Sequence, residues 1–224
     1  MHTLKYQDLP QGGFAGLKER KFVTDRRVFR QVSPKAFNGI GDFVYLADAN
    51  FVPNGETGLH PHKEIDVISV MVEGNVTHAG SLEHGKSLAA GYTQVQRAGG
   101  EGFTHNEINP DDTENHMIQL WVLPTKQGEP AGYKVYQPQV GKLQKIYGGS
   151  KDQDKTFYSS TAISVANLKS GNTVDHKGEV LGFLSKGEGK LNGETLGART
   201  AFRVDEGVSF TAATDSQLIL VYVE

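Results

Sequence analysis

The stretch Gly55–Gly74 reads GETGLHPHKEIDVISVMVEG, and Gly99–Asn109 further along reads GGEGFTHNEIN. The first sets His60 and His62 one residue apart. The second sets His105 and Glu107 one residue apart. In a strand, residues i and i+2 point to the same face. Each pair therefore aims two side chains at one point, and two neighbouring strands supply four. Asp66–Val72 (DVISVMV) is mostly β-branched and stops at Glu73-Gly74, a turn signal, so a buried strand follows the histidines. Three imidazoles and a carboxylate are a borderline-to-hard donor set, suited to Fe(II) or Mn(II) at least as well as Zn(II). A six-coordinate ion on four such ligands keeps two positions open for substrate or O2. His60, His62, His105 and Glu107 are thus the candidate metal ligands. His-x-His alone is common on surfaces; the His-x-Glu downstream is what argues for a site.

Outward from this stretch, short strand-like runs recur. Val28–Val32, Phe43–Phe51, Tyr92–Arg97 and Met117–Leu123 lie in the first half. Thr161–Leu168, Val180–Ser185, Ala201–Val204, Val208–Thr211 and Leu218–Val223 lie in the second. Positions 125–154 are rich in Lys, Gln, Gly and Pro and read as an interdomain connection. One extended piece, Tyr133–Val140, and one short helix, Val140–Tyr147, are the only elements expected there. The domains expected are 1–124, with the metal site, and 155–224. With 27 Gly, 8 Pro and many short apolar runs, the chain is expected to be all-β.

The halves repeat one another. Asp66–Gly74 (DVISVMVEG) resembles Glu179–Gly187 (EVLGFLSKG), and GETGLH (Gly55–His60) resembles GNTVDH (Gly171–His176). The second half keeps only His176 and has no His-Glu pair near Phe210, so it reads as a degenerate, metal-free copy.

Composition excludes several classes. The formal charge is −3 over 224 residues with no long basic run, so neither nucleic acid nor an anionic membrane is an implied partner. Cysteine is absent, which removes disulfides and thiol catalysis. The start, MHTLKYQDLPQGGF, lacks a basic-then-apolar signal pattern, and a cytoplasmic protein is expected. Asp66 and Glu64 are further carboxylates near the histidines. Asp66 is expected in a turn or supporting role more than as a ligand, and Glu64 at the mouth. His78, His84 and His116 lack partners at ligand spacing and read as surface or turn residues, the alternative being that one of them lines the pocket. Trp121 and Phe103 read as core or pocket wall. Lys18–Lys21 (KERK) with Arg26 and Arg27 reads as a solvated face.

The HPH core, the VEG turn, the GxGxxHxE piece and QLWVLP (Gln119–Pro124) together resemble the pirin family of bicupins in the cupin superfamily. The resemblance covers most of the chain and is strongest from Gly58 to Pro124. It implies two tandem jelly-roll-type cupin barrels packed face to face, with one metal in the first. It carries His60, His62, His105 and Glu107 over as ligands. Iron is the usual metal, with Mn, Ni, Zn or Cu as alternatives. It implies a quercetin 2,3-dioxygenase-like activity on flavonol-like, enolisable substrates with O2, Glu107 being either a fourth ligand throughout or the catalytic base. The alternative is a non-enzymatic, iron-binding redox sensor or co-regulator acting through a protein partner. A monomer is expected, since a duplicated barrel already supplies the pairing that single-domain cupins obtain by dimerising. The chain departs from the family at Lys63-Glu64-Ile65-Asp66, where Arg-Gly-Phe-Glu is common, and at Asn106, where Ser is common. Those changes are expected to alter the pocket wall.

Overall fold

A computed structural model describes all of residues 1–224. The chain divides into two compact units, Leu9–Gln137 and Met1–Asp8 with Pro138–Glu224. In chain order the strands are β1 (His2–Lys5), β2 (Gly12–Phe14), β3 (Leu17–Thr24), β4 (Phe43–Phe51), β5 (His60–His62), β6 (Asp66–Glu73) and β7 (Asn75–Gly80). Then come β8 (Lys86–Ala89), β9 (Thr93–Arg97), β10 (Phe103–Ile108), β11 (His116–Val122), β12 (Gly132–Tyr136), β13 (Leu143–Gly149) and β14 (Ser159–Leu168). The last are β15 (Thr173–Lys177), β16 (Val180–Lys186), β17 (Glu188–Leu191), β18 (Glu194–Gly197), β19 (Thr200–Val204), β20 (Gly207–Ala212) and β21 (Ser216–Val223). The one helical turn is the 3-10 turn Tyr6–Asp8. No helix is long and apolar enough to cross a membrane.

The Leu9–Gln137 unit holds a seven-stranded sheet, β12-β9-β6-β11-β4-β3-β2, and a four-stranded sheet, β5-β10-β7-β8. The other unit repeats this order: β1-β19-β16-β21-β14-β13 and β15-β20-β17-β18. Its outer sheet is completed by β1, from the chain's N-terminus, where the first unit uses β12. The internal repeat seen in the sequence is therefore a repeat of topology. In the first unit Leu17, Phe51, Met71, Val76, Leu88 and Met117 pack as one apolar cluster. In the second, the interior is continuous hydrocarbon from Ala162 to Tyr222.

Four local expectations are corrected. Val28–Val32 is not a strand: the Asp25 carboxylate accepts the Arg27 N–H at 2.9 Å, and the Asp25 carbonyl accepts from Val28 and Phe29, so the chain turns. The segment 125–154 is shared between the two units, with β12 on the first and β13 on the second. No helix forms at Val140–Tyr147. Gly141 has φ +82° and Leu143–Gly149 pairs with β14 instead. In the charged run Lys18–Lys21, part of β3, Lys18 is solvated as expected, as are Arg26 and Arg27, but Glu19 is not: burial alternates from Leu17 to Glu19 before the bulge at Lys21–Val23.

Candidate metal centre

β5 and β10 pair antiparallel with His105 opposite His60 and Phe103 opposite His62. On β10, Phe103, His105 and Glu107 point inward and the residues between them are half-buried. Gly80 of β7 lies opposite His105. Its φ is +156°, and a Cβ there would sit 2.1 Å from the Thr104 carbonyl oxygen and 2.8 Å from His105 Cα. The close approach of two strands that seats His105 requires glycine.

One ring nitrogen from each of His60, His62 and His105 lies within 4.8 Å of the other two. His105 Nε2 is 3.1 Å from His62 Nε2 and 3.0 Å from His60 Nε2. Nitrogens about 2.1 Å from one ion and at right angles about it stand about 3.0 Å apart, so the spacing fits a common ion. The hydrogen bonding fits as well. His60 Nδ1 is 2.8 Å from the Gly58 carbonyl and can only donate to it, which leaves Nε2 as a lone pair. His105 Nδ1 is 3.2 Å from the Gln96 amide, whose Oε1 is buried with no partner. With that oxygen turned to the ring, it accepts the Nδ1 proton and His105 Nε2 is likewise free. Lone pairs facing each other at this distance repel unless a cation lies between them. Burial, reinforced by the charge of His60, lowers the His62 pKa to about 4. Burial first, then His62, His60 and His78, lowers that of His105 to about 2. Both rings are neutral at pH 7, as ligands must be.

Glu107 is fully buried and does not join the three nitrogens at that distance. Its carboxylate is held by a cross-strand row. Gln94, Ser69 and Gln119 stand side by side on β9, β6 and β11. Ser69 Oγ and Gln94 Nε2 donate to Oε1 at 2.6 and 2.9 Å, and Gln119 Nε2 donates to Oε2 at 3.2 Å. Tyr133 supports the row by donating to Gln94 Oε1 at 3.0 Å.

A cleft of about 160 Å³ opens on His60 and His62, with Gln119, Tyr45, Phe29 and Trp121 among its walls. Trp121 lies 4.3 Å from Tyr45 and, near parallel at 10°, 5.9 Å from Phe29 between ring centroids. Its Nε1 is buried without a partner.

The remaining candidates are placed as follows. Asp66 begins β6, and its Oδ1 accepts the Ala98 N–H at 3.0 Å, a supporting role. Glu64 does not continue the histidine strand: β5 ends at His62 and Glu64 turns with φ +51°, its Oε1 accepting the Gly128 N–H. Asn106 points away and donates to Glu56 at 2.5 Å. None of the three lines the cleft, so the departures at these positions do not alter its wall. His84 is exposed, as expected. His78 and His116 are not surface residues: His78 is fully buried, its ring 5.6 Å from that of His105, and His116 pairs with buried Asp48 at 2.9 Å. Sequence reasoning missed Gln94, Gln96, Ser69 and Glu19. Polar residues at the inward parity of apolar strands were the available signal.

The second unit has no such centre. At the positions equivalent to Gln94, Ser69 and Gln119 it carries Phe202, Gly182 and Leu220, paired in the same way on β19, β16 and β21. A Cβ on Gly182 would lie 2.1 Å from the Phe202 ring, which occupies that room. β20 turns Val208, Phe210 and Ala212 inward where β10 turns Phe103, His105 and Glu107. His176 stacks on Tyr222 at 4.0 Å.

Comparison with known proteins agrees with this fold. The pirin family model matches residues 20–122. A pirin-like protein of Caulobacter vibrioides is 30% identical over 186 residues, 78% of this chain and 80% of its own length. Quercetin 2,3-dioxygenase of Escherichia coli is 26% identical over 196 residues, 83% and 81% of the two chains. The crystal structure of the bacterial pirin YhhW from Escherichia coli in complex with nickel(II) superposes with a TM-score of 0.83 at 20% identity, over 99% of this chain and 98% of that one.

Proposed function

The chain belongs to the pirin family of cupin proteins, and from that premise we propose that it is an Fe(II)-dependent dioxygenase of flavonol-like, enolisable small molecules. The observation that carries the proposal is the clustering of one ring nitrogen each from His60, His62 and His105, two of these histidines lining an aromatic-walled cleft, with a buried carboxylate on the inward position after His105. The relatives named quercetin 2,3-dioxygenase support the substrate class. His60, His62 and His105 would hold the metal, which would supply Lewis acidity toward a substrate hydroxyl. Glu107, held outside the three nitrogens by Ser69, Gln94 and Gln119, is the base rather than a fixed fourth ligand. Gly58 and Gln96 fix the imidazole orientations. Glu107 accepts the substrate's hydroxyl proton at Oε2, the oxygen with one donor, that donor being Gln119, which itself lines the cleft. Ser69 and Gln94 hold the other oxygen. Trp121, Tyr45 and Phe29 keep water from the bound ring and orient it flat.

The test is oxygen uptake by Fe(II)-loaded protein with quercetin. Consumption of O2 with loss of the flavonol absorbance is expected, and Glu107→Gln should lower the rate by roughly 100-fold or more. No uptake by protein with a full complement of metal, across a series of flavonols and simpler enols, would remove the dioxygenase reading.

A further inference from the structure

The cleft has a second polar pole that neither the ligand set nor the proton acceptor uses. Glu19 is 5% exposed and Tyr45 4%. The Tyr45 hydroxyl donates to Glu19 Oε2 at 2.5 Å, and Lys21 Nζ lies 3.1 Å from Oε1. Lys21 also stands 5.6 Å from the centre of the Phe29 ring and 5.9 Å from that of Tyr45. Burial, with the Glu19 charge, pushes the Tyr45 phenol well above its usual pKa, so it remains a donor. A carboxylate offers about four lone-pair sites. Two are taken, which leaves acceptor capacity facing the cleft.

A second cleft, of about 270 Å³, lies alongside, between Gln11, Thr24, Gln31 and Ser33. Glu19, Lys21 and Phe29 line both. Pockets for drug-sized ligands run about 300–1,000 Å³, so the inner cleft alone holds little more than one ring. A three-ring ligand with its enol at the histidines must cross the Glu19–Lys21–Phe29 line. The unpartnered Trp121 N–H on the same wall supplies a donor for an oxygen of the ligand core.

We propose that Glu19 is the specificity-determining residue of this site, accepting a hydroxyl of a flat polyhydroxylated aromatic ligand whose distal ring occupies the outer cleft. The assignment rests on the flavonol reading given above. Lys21 offsets the carboxylate charge and Phe29 supplies the stacking face at the junction. A hydroxyl donated to a charged acceptor strengthens binding by about 10- to 100-fold.

The experiment is calorimetric titration of the metal-loaded protein, without O2, with quercetin and with 3-hydroxyflavone, which keeps the enol head and lacks the other ring hydroxyls. The wild-type protein is expected to bind quercetin about 10- to 100-fold more tightly. Glu19→Gln should bring that ratio to within about threefold, the ratio and not the absolute affinity being the readout. Equal affinities in the wild-type protein, or a ratio that survives Glu19→Gln, would overturn the assignment alone. Binding of neither ligand would overturn it together with the flavonol reading. Equal affinities in the wild-type protein overturn the assignment whether or not the variant folds.

Discussion

Which nitrogen of each imidazole is left free decides the chemistry at the residue scale. The Gly58 carbonyl settles it for His60, and the Gln96 amide, with its unpartnered Oε1 turned to the ring, does so for His105. Replacing Gln96 with Leu should weaken metal binding by about 10- to 100-fold, measured by competition with a chelator. Gln96→Glu, which still accepts from Nδ1, should restore most of it. The same burial makes the metal-free protein acid-sensitive. His62 and His105 have folded pKa values of about 4 and about 2, against about 6.5 in an unfolded chain. Above about pH 6.5 neither state binds these protons and the two groups cost nothing. As pH falls toward 4 the unfolded chain takes up protons that the folded one refuses, so stability falls. Denaturant midpoints of metal-free protein at pH 7.5 and pH 5 should differ in that direction, and a higher midpoint at pH 5 would contradict it. The histidines were legible because their type and spacing carry the chemistry. Glu19 was not: inside Lys-Glu-Arg-Lys nothing local distinguishes the one inward carboxylate from three neighbouring charges. Its parity with Leu17 was the sole clue.

Between strands, register does the work. Gln94, Ser69 and Gln119 are distant in sequence, yet pairing sets them in one row that holds Glu107. A sequence read strand by strand sees a polar residue in each and not the row. Runs such as Asp66–Val72 and Leu218–Val223 were legible as strands because β-branched and apolar residues fill both faces. The turn at Val28–Val32 was not, since the Asp25 cap that makes it lies outside the run. Gly80 belongs to this scale too. Gly80→Ala drives a methyl into the β10 backbone beside His105. It should destabilise the protein by about 1–3 kcal/mol and leave less than one metal per chain, read by thermal melting and elemental analysis of the same sample.

Across the whole chain, one strand order is used twice with two interiors. The order was legible in the paired segments Asp66–Gly74 and Glu179–Gly187. The membership of the units was not, because β1 joins β19 across nearly the full sequence, and no local pattern announces such a partner. In the second unit the row facing the barrel interior is Phe202, Gly182 and Leu220, which offers packing and no ligand. Phe210→Ala should therefore cost about 3–5 kcal/mol of stability with no change in metal content, as unfolding curves and metal analysis would record. The most direct test of the account is the metal content, by elemental analysis, of protein purified without added metal, beside a His60→Ala/His105→Ala variant. One first-row metal ion per chain, lost in the variant, is the predicted result. No metal even after reconstitution, or a full complement retained in the variant, would contradict it.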